Sequence, residues 1–472
     1  MPCGGSVTEP APLVAGGAGR PGATTGLAAA AWTLFALQLL LQVTTWRSFY
    51  GDGAAFFVSM LRHETLILWP PERIFASGLI TLPMWLGLQA GITDIDSLQA
   101  LFALGLLMPW PIALWLCWRL APAQFWLPVA ACGLAYLNSC LLAFSNALAA
   151  HAMLWPVLTA LVFVRPLTRF AAGVLVGGSL LLLYSYESQL FLGPPLAVLA
   201  LWRLRHPETP GGRLSLLLSG LLLLGSAWMA LQGILAESNS ANRGGYVEGL
   251  LSLAVKPPWT VGFSALLVGV AAVLLLRPRL ARLAGQAWCV GLLLTLLVVW
   301  GVWPLIAPGL FRPLDQYLAR GLNLAVPMAL FPLALLARRH AGWFADRLSI
   351  LHGAALALLL AQSIWQVSAT VQWQGYLASL RTLLTQHSGP VRLEAAQQRE
   401  LEGGPQALRF HIAWTLPYLS LLLAPDGRVQ SLFWASSEFQ PMDPTRPGML
   451  PDLSRYGFDM TDYLEALRRQ GP

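Results

Sequence analysis

The stretch GDGAAFF, residues 51–57, sets one carboxylate, Asp52, between two glycines at the point where a long apolar run stops. Glycines on both sides let other groups approach closely, and a carboxylate at the mouth of a cleft can take a proton from a hydroxyl. The same pattern suits a helix cap, because Asp favours the position just before a first turn. A second acid, Glu187 in YSYESQLFLGPP, lies where two apolar runs meet, with Tyr184, Tyr186 and Gln189 as neighbours to hydrogen-bond it. It reads equally as a polar residue at a helix end. In LRHET, Arg62, His63 and Glu64 form a solvated helix face, or His63 contacts a phosphate. Asp94 and Asp96 in GITDIDS read as caps of the following helix.

Opposite charge matters as much. Arg243, Lys256, Arg312 and Arg320 fall in segments assigned below to the outer face, against the usual bias of basic residues towards the inside. A phosphate at the lipid boundary gives them a reason to be there: Arg offers a planar fork of donors, Lys a point charge. In FRPLDQYLARGL, Arg320 stands where an apolar run begins, with Asp315 or Tyr317 available to orient it. The plainer alternative is an arginine snorkelling to lipid headgroups. No Walker loop, dinucleotide fingerprint, zinc-ligand spacing or Ser-His-Asp arrangement occurs. A soluble nucleotide donor and ATP-driven transport therefore have no support.

The elements that must position these residues are apolar. Of 472 residues, 56% are hydrophobic and 11% charged, against about 25% charged in soluble domains. Runs near the ~20 residues needed to cross a bilayer recur along the chain. The expected spans are 26–45, 97–118, 124–142, 147–164, 170–185, 188–202, 214–235, 259–276, 284–305, 321–337 and 346–366. The formal charge of +7 comes from arginines and the single Lys256. They gather in VRPLTR, WRLRHPETPGGR, RPRLAR and RRHAGWFADR, between spans, so the charge reads as topology and not as nucleic-acid binding. Of the cysteines Cys3, Cys117, Cys132, Cys140 and Cys289, four sit in apolar runs without pairing or metal spacing. Most of the 20 tryptophans suit interfacial anchoring.

Placing every basic cluster inside leaves 75–91 as a helix at the outer surface and not a span. Its apolar part is only about 17 residues, short for a crossing, and Pro83 interrupts it. The expected fold is an all-α polytopic membrane protein of eleven transmembrane helices, N-terminus in and C-terminus out. Amphipathic helices fill the first outer loop and a small α+β tail domain follows. Residues 1–25 form a disordered cytoplasmic tail without a cleavable signal, 26–366 the membrane domain, and 367–472 the outer tail domain. The outer face gathers 46–96, 184–188, 236–258, 306–320 and the tail. In the tail, PDGRVQSLFWA at 425–435 predicts a turn and strand, and DMTDYLEALRR at 459–469 a short helix, while WTLPYLSLLLA at 414–424 could dip into the bilayer.

The order of GDGAAFF, LWPPERIFASGLITLPMWLGL and SLQALFALGLLMPWPIALWLCWRL resembles the C-type (GT-C) membrane glycosyltransferase superfamily. That superfamily includes protein O-mannosyltransferases and bacterial aminoarabinose transferases. The resemblance covers 26–366 as architecture and specific residues only over 46–119. It implies a bacterial inner-membrane enzyme with its active face periplasmic. Such an enzyme moves a sugar from a polyprenyl-phosphate carrier to a glycan, lipid or protein acceptor, with inversion. Asp52 matches the family's catalytic acid, and basic residues at the lipid boundary would bind the leaving phosphate. The resemblance leaves a divalent cation open and adds no resident metal. Where relatives often carry a second acid, this chain has Asn146, so Glu187 or Glu64 takes that role, or catalysis is lost. The other classes carried forward are a glycolipid transporter or flippase and an inactive envelope-assembly scaffold.

Overall fold

The computed structural model describes residues 21–68, 73–136, 146–235, 316–394, 397, 413–435 and 442–470. Arg243, Lys256 and Arg312, and the spans expected at 259–276 and 284–305, lie outside these residues. Helix α1 (Pro21–Thr44) begins inside the tail expected at 1–25; proline suits a first helical position, where its missing N–H breaks no bond. The first loop carries α2 (Gly53–His63) and α3 (Ile74–Gln89). The span expected at 97–118 is a broken pair, α4 (Ile95–Leu107) and α5 (Pro109–Leu120), bent by 42° where Pro109 opens the second helix.

Next come α6 (Trp126–Tyr136), α7 (Asn146–Phe163), α8 (Arg169–Leu183), α9 (Gln189–Arg203) and α10 (Pro210–Leu235). The chain resumes with α11 (Gln316–Arg339), the short α12 (Ala341–Ala345) and α13 (Leu348–Gln386). Among the described residues, four helices are long and apolar enough to cross a membrane: α1, α7, α10 and α13. The bent α4–α5 pair makes a fifth if counted as one, while α3 and α8 are apolar but shorter. Helix α10 exposes Leu214, Leu217, Leu221 and Trp228, with Leu221 56% exposed. A row of that kind suits contact with lipid and is unusual on a surface facing water.

Cross-contacts fix the helix directions. Helices α5 and α7 run the same way, because Trp110 lies beside His151 and Thr159 donates to the Cys117 sulfur at 3.4 Å. Helices α1 and α13 also run the same way: Gln38 reaches the Ser363 carbonyl, and seven residues later Thr45 accepts from the Trp373 indole at 3.1 Å. The tail therefore leaves the bundle at the end where α1 finishes. At the opposite end, Arg203 donates to the carbonyls of Ala160, Leu161 and Val164, Arg165 covers Trp202, and Trp126 stacks on Phe344. VRPLTR, WRLRHPETPGGR and RRHAGWFADR thus share one end; RPRLAR lies outside the described residues.

Helices α3 and α4 form an antiparallel hairpin in which Gly105 lies against the Ile80 carbonyl, so close that any side chain there would collide. The first turn of α3 meets the α8–α9 connection, where Phe75 N–H donates to Tyr184 O at 3.0 Å. Its last residue, Gln89, donates to Glu64 O at 3.1 Å. The helix sits on the bundle end that carries the first loop.

The domain boundary expected at 366/367 falls inside α13, which continues 39 residues from Leu348 to Gln386 because nothing breaks it before Ser388-Gly389. The tail then folds as strand β1 (Gly389–Arg392), α14 (Leu416–Leu422), strand β2 (Ser431–Trp434) and α15 (Thr461–Gln470). The strands pair in parallel, Gly389 opposite Ser431 and Arg392 opposite Trp434. Helix α14, from the segment that could have dipped into lipid, is instead buried against β2, where Phe433 N–H donates to the Ser420 hydroxyl at 3.1 Å. One apolar core joins loop and tail, with Phe57, Met60 and Phe102 packed among Trp373, Leu421 and Phe433.

Candidate functional site

The chain turns out of α1 through strained and pinned residues. Trp46 takes a left-handed conformation at φ 53°. Arg47, fully enclosed, donates to Gln38 Oε1 at 3.2 Å and to Gln366 Oε1 at 2.5 Å, which ties the turn to α1 and α13 together. Burial pulls its guanidinium down to about 9. The Ser48 hydroxyl accepts from Gln99 at 2.9 Å, which adds α4 to the anchor. Gly51 then turns at φ 64°, a left-handed value that glycine adopts without strain, and Gly53 lies so near the Ser48 carbonyl that a methyl group would clash. Both glycines around Asp52 are therefore required by the turn itself.

Asp52 stands at the position before α2, yet its carboxylate makes no capping hydrogen bond. Its backbone is helical (φ −71°, ψ −10°), whereas a capping residue is normally extended. Asp94 shows the contrast: extended at ψ 121°, it accepts from Ser97 N–H at 2.8 Å, and that bonding to Ser97 holds its carboxyl below the usual range. Asp52 is half-buried.

Glu187, expected as a second acid, is buried in an ion pair with Arg73. Arg73 directs Nε to Glu187 Oε1 at 2.9 Å and Nη2 to the same oxygen, and its guanidinium lies 4.8 Å from the centre of the Tyr186 ring. Gln189, expected to hydrogen-bond Glu187, instead leaves both amide atoms buried without a partner among the described residues. One helical turn after Arg73, Ser77 donates to Asn146 Oδ1 at 3.3 Å, and Tyr186 packs on Ala147 and Ala150. The start of α3, the start of α7 and the α8–α9 connection so meet in one polar cluster. Arg73 has no site role in the sequence reading because its partner is 114 residues away. The available signal was an arginine in the outer loop directly before an apolar helix.

Glu64 is part-exposed and has partners in the tail. It ends α2 at φ 51° and accepts from Arg455 and, at 2.9 Å, from the Tyr456 hydroxyl, which docks the tail on the loop. Burial, reinforced by Glu64, pushes Tyr456 up to about 12. His63 is exposed on the last turn of α2. Tyr317 and Arg320 fall in the opening turns of α11, with side chains outside the described residues. Among the described residues no three His, Cys, Asp or Glu side chains converge as metal ligands would.

The structure therefore brings Asp52, Glu64 and Glu187 to one end of the bundle, with Arg73 added and the tail closed over the loop. A half-buried carboxylate on a rigid turn can accept a proton, and a fixed guanidinium can face an anion. No family model, curated protein or solved structure matches this chain.

Proposed function

We propose that the chain is a membrane glycosyltransferase that moves a sugar from a polyprenyl-phosphate carrier to an envelope acceptor at the periplasmic face of a bacterial inner membrane. The observation that carries this reading is Asp52: it occupies a capping position without capping, on a turn pinned by Arg47, Ser48 and two obligatory glycines. In the proposed reaction Asp52 removes the acceptor hydroxyl proton. The oxygen attacks the anomeric carbon, and the bond from that carbon to the carrier phosphate breaks with inversion. Arg73, oriented by Glu187 and Tyr186, is the cation we assign to offset the charge of the leaving phosphate. The eleven-span topology, with the first loop and tail outside, belongs to the same proposal.

Transport is supported less well. A transporter wants polar groups in mid-membrane, and His151, in α7, packs between the rings of Trp110 and Trp155. The test is a deletion strain complemented with wild type or Asp52→Asn at equal membrane levels, with envelope glycans profiled. A general base contributes about 10²–10⁴-fold, so Asp52→Asn is expected to leave the deletion profile. A wild-type profile from that variant removes the catalytic reading.

A further inference from the structure

The bundle end opposite Asp52 carries a second cluster that the proposed chemistry does not use. Arg203 donates to three backbone carbonyls and pairs with Glu208, which also accepts from Leu167 N–H at 2.9 Å. That pair is satisfied almost throughout. Beside it stands Arg165, on the α7–α8 connection, with its guanidinium 5.4 Å from the centre of the Trp202 ring. The Nε and Nη2 donors of Arg165 are buried and have no hydrogen-bond partner among the described residues. These two N–H groups form the edge of a guanidinium that meets two oxygens of one anion side by side. Arg338, at the end of α11, adds a third guanidinium, and burial together with Arg338 and Arg203 pulls Arg165 down to about 10. His206 lies edge-on to Trp202 at 4.6 Å, its buried Nε2 also without a partner.

We infer that Arg165, Arg338, Trp202 and His206 form a binding site for one phosphate group, at the junction of the α7–α8 connection with the ends of α9 and α11. Among the described residues one carboxylate, Glu208, faces three guanidiniums, so the cluster is short of negative charge. Two parallel donors are unmet, and an anion with paired oxygens supplies what both lack. Arg165 as a residue is only half-buried, so the cluster lies near the rim of the junction. Trp202, 45% exposed, offers a ring at the same level for an interfacial ligand. The phosphate arrives either on an anionic lipid headgroup, for which basic pockets between helix ends are suited, or free from solution.

The full chain in non-ionic detergent is titrated with phosphatidylglycerol, phosphatidylcholine and inorganic phosphate, and read by native mass spectrometry and by melting temperature. Arg165→Gln is expected to weaken phosphatidylglycerol binding about tenfold, the scale of a charge-assisted pair of hydrogen bonds. Arg165→Lys is expected to lose most of it too, because an ammonium has no fork. Arg338→Gln weakens binding without touching Arg165, and carries the test if the Arg165 variants do not fold. Arg119→Gln, an exposed arginine in the last turn of α5, and phosphatidylcholine binding are expected to report no change. Inorganic phosphate that stabilises wild type but not Arg165→Gln, with no lipid preference, assigns the site to free phosphate. Wild-type phosphatidylglycerol binding in Arg165→Lys and Arg338→Gln, with no phosphate-induced shift in melting, overturns the inference.

Discussion

At the basic end Arg203 and Glu208 are fully enclosed, whereas at the opposite end Arg73 stays 12% exposed beside a Glu187 that is 2% exposed. Arg203 and Glu208 are five residues apart and spread their hydrogen bonds over four backbone groups of α7 and the α7–α8 connection. Arg73 and Glu187 are 114 residues apart, and Arg73 aims two nitrogens at one oxygen. The first pair closes a corner of the scaffold. The second brings a loop helix onto the bundle and leaves its cation partly exposed. Two pairs of the same residue types so do different work, because one is sealed against backbone groups of its own corner and the other ties a loop helix to a distant connection.

That contrast can be broken by substitution. Removing one partner of an enclosed pair leaves a buried charge, at about 3–5 kcal/mol, so Glu208→Ala is expected to cause the largest loss of thermal stability in detergent. Glu187→Gln keeps an acceptor for an arginine that still touches solvent, and is expected to cost about 1–2 kcal/mol. Its sharper effect is on glycan transfer, which is expected to fall in a strain assay while the protein remains folded. Equal melting losses for the two variants would erase the distinction. The smallest effect is expected at Glu64–Arg455, where both side chains are substantially exposed: a double-mutant cycle is expected to give under about 1 kcal/mol.

How much of this was legible in the sequence depended on range. Four long apolar helices, three of the basic clusters, the strand within 425–435 and the helix expected at 459–469 rest on local apolar period and turn residues, and among the described residues they fall within the stretches that pattern marks. The break between α4 and α5 was missed although MPWPI carries two prolines, because hydropathy alone runs straight across it. The extension of α13 past 366 was missed because its outer part turns more polar while nothing in it stops a helix. WTLPYLSLLLA was ambiguous for a physical reason: a protein core and a bilayer select the same side chains. At the site, Asp52 and its glycines announced themselves, but Arg73, Arg47 and the docking role of Glu64 depend on partners 114, 319 and 391 residues away. No local pattern encodes such a pairing.

The central claim is that the α3–α4 hairpin, the α8–α9 connection and the tail cover one face of a membrane-spanning bundle while the basic connections occupy the other. The direct measurement places single cysteines at Thr93, at the exposed hairpin tip, and at His340, exposed between α11 and α12, in a cysteine-free background. Intact cells are then treated with a membrane-impermeant maleimide. The account expects Thr93→Cys to react from outside and His340→Cys only after permeabilisation. Reaction of both from the same side, or the reverse order, would contradict it.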